Sequence, residues 1–172
     1  MRETIGALKE LERFWEVALD AFKRYAEKKM IIRKSIRVEQ PRTITFRIFC
    51  DEISQWWPKG PSFNGKPLAE MVIEGRVGGR FYERYVDGTE YEIGRVTTYQ
   101  PPKVVAFAWR APSWEFATQV EVRFIAEGEG TRVEVEHSGW EQAETLRRTY
   151  KAYETGWDFV LGNFTEHANA AA

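Results

Sequence analysis

The chain has one cysteine, Cys50, and two histidines, His137 and His167, among 172 residues. A lone thiol makes neither an internal disulfide nor a multi-cysteine zinc site. Two imidazoles leave little material for a histidine-rich centre, so neither a metal nor another cofactor is expected. No apolar run approaches the roughly 18 to 20 residues of a bilayer span. The first residues, MRETIGALKELER, lack the apolar core of a signal peptide. The 25 basic and 26 acidic side chains leave a net charge of −1, without the basic excess of a nucleic-acid surface. The expectation is a cytoplasmic protein with no membrane partner and no direct nucleic-acid partner. Catalytic motifs are missing as well: there is no Gly-x-Ser-x-Gly and no His-Glu-x-x-His. Gly75-Arg76-Val77-Gly78-Gly79 has glycines, but no helix start follows to hold a phosphate.

Aromatic residues are plentiful: seven Trp, seven Tyr and eleven Phe make up 15% of the chain. Rings bury large areas, and so many are consistent either with a bulky core or with a cavity lined for an apolar or aromatic ligand.

Periodicity divides the chain into helical ends and a strand-rich middle. In residues 1–30, Leu8, Leu11, Trp15, Ala18, Phe22 and Tyr25 recur at steps of three and four, the mark of an amphipathic helix. From Ile32 to Val38 the period is two, which predicts a strand. Phe46, Phe49, Ile53 and Trp56 predict a short helix over about 42–57, ended by Trp57-Pro58-Lys59-Gly60-Pro61. Residues 68–138 read as strands and tight turns, with Asp87-Gly88 the strongest hairpin signal. Gly78-Gly79 predicts a bulge or bend, and Glu127-Gly128-Glu129-Gly130 predicts a turn. Leu146, Tyr150, Tyr153, Trp157, Val160 and Phe164 mark a closing helix over 143–168. Gly156 inside it points to a close approach by some other group.

This order of elements resembles the START-like superfamily, also called SRPBCC, in the branch related to the activator of heat-shock protein 90 ATPase. The likeness rests on Trp56-Trp57-Pro58, Gly78-Gly79-Arg80-Phe81-Tyr82-Glu83, Asp87-Gly88, Gly94-Arg95-Val96, Pro101-Pro102-Lys103, Trp109, Gly130-Thr131-Arg132, His137-Ser138-Gly139-Trp140 and Gly156-Trp157. It implies an α+β helix-grip fold, in which a curved antiparallel sheet holds the long C-terminal helix with a cavity between them. The domain reading is an amphipathic helix at 1–30 and a START-like ligand-binding domain at 31–172. The helix itself resembles the dimerisation helix of ArsR-type repressors in Leu11-Glu12-Arg13-Phe14-Trp15-Glu16, which implies a homodimer through Leu8, Leu11, Trp15, Phe22 and Tyr25.

A two-residue Asp87-Gly88 turn places Tyr85 opposite Glu90, Glu83 opposite Glu92 and Phe81 opposite Gly94, all on one face. Glu83 on the concave face is a polar anchor and a candidate general base. His137 shares a face with Val133 and Val135, and reads as an interior histidine or as a second catalytic candidate. The candidate ligand-binding set begins with Trp56, Phe63, Phe81, Glu83, Tyr85 and Phe107. Trp109, Phe124, His137, Trp140, Tyr153 and Trp157 complete it. The favoured function is a binding module, in a sensory role, for a small hydrophobic or aromatic molecule. The alternative is a cyclase-, aromatase- or hydratase-like enzyme using the same cavity. A co-chaperone of heat-shock protein 90 ranks last, because a 30-residue helix does not replace the activator's separate client-binding domain.

Overall fold

A computed structural model describes residues 2–28, 30–60 and 62–171, and the chain divides into two compact units, Met1–Met30 and Ile31–Ala172. The first unit is one helix, α1 (Arg2–Lys28). Taken by itself it carries Leu8, Leu11, Trp15 and Phe22 as exposed side chains, each more than half accessible. Ile5, Phe14, Val17 and Leu19 are exposed too, so its apolar surface is wider than a single stripe. The side chain of Tyr25 lies outside the described residues.

In the second unit the alternation of Ile32 to Val38 becomes β1 (Ile32–Val38), with Ile32 and Val38 buried at its two ends. Pro41 sets the extended backbone before α2 (Arg42–Asp51). The helix predicted over 42–57 breaks at Glu52, where φ is −106°, and resumes as α3 (Ile53–Trp56). Glu52 faces His167 across 3.0 Å, and the break leaves Phe46, Phe49, Ile53 and Trp56 all buried.

Six strands follow: β2 (Leu68–Ile73), β3 (Arg80–Tyr85), β4 (Glu90–Gln100), β5 (Val104–Trp109), β6 (Thr118–Glu127) and β7 (Gly130–Ser138). With β1 they form a seven-stranded antiparallel sheet in the order β1-β7-β6-β5-β4-β3-β2. Gly78-Gly79 lies in the β2–β3 turn rather than in a bulged strand. Gly78 adopts φ +82°, and a Cβ on Gly79 would sit 2.6 Å from the Glu74 carbonyl oxygen. After a short 3₁₀ turn at Trp140–Gln142, α4 (Glu144–Ala170) runs along the concave face of the curled sheet. Leu146, Trp157, Leu161, Phe164 and Ala168 are its buried side chains. The architecture is the α+β helix-grip fold that the sequence implied. Among the described residues no helix is long and apolar enough to cross a membrane.

The β3–β4 hairpin departs from the expected register. Its loop has three residues, Val86-Asp87-Gly88, closed by Tyr85 N–H donating to Thr89 O and Gly88 N–H donating to Tyr85 O, both at 2.9 Å. Gly88 takes φ +86°, and Asp87 Oδ1 accepts from both the backbone N–H (2.9 Å) and the hydroxyl (2.6 Å) of Thr89. This is a turn followed by a left-handed glycine, which adds one residue to the loop. The pairs are therefore Arg84 with Glu90, Glu83 with Tyr91, and Tyr82 with Glu92. A bulge next to Phe81 restores the expected Phe81–Gly94 pair. The expected Glu83–Glu92 and Tyr85–Glu90 pairs do not form, because a one-residue slip sends alternate side chains to the opposite face. Glu90 and Glu92 instead meet Arg80 and Arg95, each at 3.0 Å.

Candidate functional site

Strand alternation turns Phe81, Glu83 and Tyr85 of β3 inward, and all three are almost fully buried. Trp109 ends β5 on the same side, and the α4 residues Tyr153, Gly156, Trp157 and Val160 face it across a cavity of about 250 Å3. The segment after α3 closes the third side with Trp57, Ser62 and Phe63. The Trp109 ring lies 5.7 to 6.2 Å, centroid to centroid, from those of Trp57, Phe63, Tyr153 and Trp157. Its indole N–H donates to the Tyr153 hydroxyl at 3.1 Å. Burial raises the Tyr153 phenol above its ordinary pKa, so it stays protonated and keeps a proton to donate.

Glu83 supplies a carboxylate to this wall, with only 3% of its surface exposed. Its Oε1 accepts from the Tyr85 hydroxyl at 2.7 Å and from the Phe63 backbone N–H at 3.1 Å. Among the described residues its Oε2 has no hydrogen-bond partner, and no cation pairs with the group. Burial, followed by the neighbouring Glu83, pushes the Tyr85 phenol well above the usual tyrosine range. That phenol is a fixed donor.

His137 lies behind the cavity wall with no exposed surface. Trp157 Nε1–H donates to its Nδ1 at 3.0 Å, so the ring proton sits on Nε2. Nε2 then donates to Thr118 Oγ1 at 2.7 Å, and the Thr118 hydroxyl donates to the Trp109 carbonyl at 2.8 Å. Both ring nitrogens are engaged, and burial pushes the pKa down to about 3. The imidazole is neutral and holds the indole of Trp157 in place.

Five of the sequence candidates meet at the cavity: Phe63, Glu83, Trp109, Tyr153 and Trp157. Phe81, Phe107 and Phe124 sit beside it as solid core, Phe81 packed at a tilt on Phe107 at 4.7 Å and Phe124 edge-on to Phe46 at 5.0 Å, centroid to centroid. Trp56 is also core, wedged between Phe49 and Phe164 with its N–H on the Ile48 carbonyl. Trp140 is buried against His137, and its N–H donates to the His137 carbonyl. Tyr85 stands behind Glu83.

Trp57, Ser62, Gly156 and Val160 line the cavity without having been chosen from the sequence. Trp57 follows the helical stripe by one residue, and only the bend after α3 separates it from Trp56. Gly156 reverses its expectation: a Cβ there would meet nothing within 4 Å. No group closes on the helix at this position, and the missing side chain leaves space open. Cys50 is remote from this constellation, and burial and then Asp51 push its thiol far above the ordinary range. Among the described residues no three His, Cys, Asp or Glu side chains gather as a metal site requires.

The family model described as "Activator of Hsp90 ATPase homolog 1-like protein" matches residues 39–169. No curated protein matches the chain. Among solved structures, the anthrahydroquino-gamma-pyrone synthase Txn09 is 30% identical, with 81% of this chain and 97% of that one covered and a TM-score of 0.55. Protein MLL2253 from Mesorhizobium loti is 18% identical over 79% and 94% of the two chains, with a TM-score of 0.61. The Aha1 dimer from Colwellia psychrerythraea is 17% identical over 81% and 96%, with a TM-score of 0.59.

Proposed function

The chain belongs to the activator of Hsp90 ATPase homolog 1-like family, and from that premise we propose that it is a binding module for a small aromatic molecule. The observation that carries the reading is the cavity of about 250 Å3 walled by five rings, with Glu83, Ser62 and the Tyr153 hydroxyl as its polar groups, and left open by Gly156. Ligand sites are mostly apolar, with a few placed polar groups, and run from about 300 to 1,000 Å3. This cavity lies just below that range, which favours a body of one or two fused rings. Native mass spectrometry of the purified protein and quenching of tryptophan fluorescence by aromatic titrants test it. Micromolar binding that Gly156→Leu abolishes without unfolding the protein is expected. Absence of binding across a broad aromatic panel counts against the module.

A second reading is a cyclase-like enzyme, supported by the 30% identity to a synthase and by the free oxygen of Glu83 at the cavity. There Glu83 takes a proton from a bound substrate. Turnover that disappears in Glu83→Gln while binding persists would separate enzyme from module. For the first unit, the proposal is a homodimer through Leu8, Leu11, Trp15, Phe22 and Tyr25 of α1. It is supported by the exposed apolar side chains of that helix. In such a dimer the cavity serves as a sensor of its ligand.

A further inference from the structure

Glu83 is a carboxylate with 3% of its surface exposed and no ion-pair partner among the described residues. Basic side chains of β3 and of the segment before β2 are engaged elsewhere. Lys66 lies 3.0 Å from Asp87, Arg80 lies 3.0 Å from Glu90, and Arg84 pairs with Glu70. No basic side chain lines the cavity. Most of the remaining wall is aromatic, Trp57, Phe63, Trp109, Tyr153 and Trp157 beside Ser62 and Val160, and the face of such a ring is the negative side of its quadrupole. The Glu83 carboxylate and any ring face turned to a ligand both favour positive charge.

From this, and resting on the ligand-binding reading above, we infer that the cavity selects an organic cation. The ligand carries a protonated amine or quaternary ammonium on a small aromatic or apolar body. Glu83 Oε1 is already held by two donors, the Tyr85 hydroxyl and the Phe63 N–H, so the carboxylate is fixed before a ligand arrives. Oε2 is left for the ligand's N–H, and the rings take the rest of the positive charge as a cation–π cage. A neutral hydrocarbon would fill the same space and leave Oε2 desolvated without a partner, which is costly for a charged group. A carboxylate or phosphate would meet like charge at Glu83. A neutral hydroxyl can also donate to Oε2, but a cation alone adds a charge that both the carboxylate and the ring faces attract.

Three probes of one shape test this by isothermal titration of the full chain: 1-naphthylmethylamine, 1-naphthalenemethanol and 1-naphthoate at pH 7.5. The amine is expected to bind about tenfold or more tighter than the alcohol, as a desolvated cation–π and charge-assisted contact implies. The carboxylate is expected to bind most weakly. Glu83→Gln should bring amine and alcohol together, since its amide oxygen still accepts from Tyr85 and Phe63. Should that variant not fold, the ranking in the natural chain decides by itself. An alcohol or carboxylate as tight as the amine overturns the inference and leaves the aromatic-ligand reading standing. An amine preference that survives Glu83→Gln also overturns it. If none of the three binds, both readings fall.

Discussion

Protonating His137 would turn the nitrogen that accepts from Trp157 into a second donor, so that two N–H groups point at each other in a fully buried place. Its folded pKa of about 3 lies below the ordinary 6.5. Between those values the unfolded chain binds the proton more readily, so stability is full above pH 6.5 and falls as pH drops toward 3. The slope attributable to this one group is at most about 1.4 kcal/mol per pH unit. Urea unfolding at pH 7.5 and pH 5 checks it. His137→Gln should be destabilised at pH 7.5, and its deficit should shrink by about 2 kcal/mol at pH 5. Equal deficits at both pH values would show that the proton equilibrium of His137 is not coupled to folding. Alternation with Val133 and Val135 already placed this side chain inside. Its tautomer was not legible, because it depends on an indole 20 residues away on α4.

Two glycines show how an element's surroundings, and not its composition, decide what a residue does. Gly156 lies in the middle of α4 with open space where a Cβ would go, and a helix-interior glycine costs about 1 kcal/mol relative to alanine. Gly156→Ala should therefore stabilise the fold by up to about 1 kcal/mol while weakening aromatic ligands. Gly94 lies on β4, where a Cβ would fall 1.8 Å from the Ala108 carbonyl oxygen, an overlap that only backbone movement relieves. Gly94→Ala should cost about 2 kcal/mol or more. Thermal melts of both variants check the opposite signs, and a shared sign would contradict the packing described. The β3–β4 hairpin carries the same lesson. Asp87-Gly88 located the turn, but the bonds from Thr89 to Asp87 set a three-residue loop, and that extra residue separated Glu83 from Glu92.

At the scale of the molecule, the chain consists of a lone helix and a helix-grip unit beginning at Ile31. If α1 forms a dimer seam, sedimentation should give a dimer for the full chain and a monomer for residues 31–172, whose melting temperature should stay within a few degrees. A monomeric full chain at high concentration would remove the seam. The element order was legible in the sequence, because periods of 2 and 3.6 report local backbone geometry and which face is covered, and the helix-grip architecture was legible through the family resemblance that its motifs carry. Turn residues such as Gly128-Glu129 marked the strand ends for the same local reason. Which rings face empty space was not legible. Trp56 and Trp57 differ by one position and Phe81 and Trp109 share an inward face, yet one of each pair is packed solid and the other lines a cavity. That choice depends on how a bulged hairpin, the bend after α3 and a glycine in α4 come together. Periodicity tells a covered face from a wet one, whereas a void is a property of three elements at once, which only the tertiary structure decides.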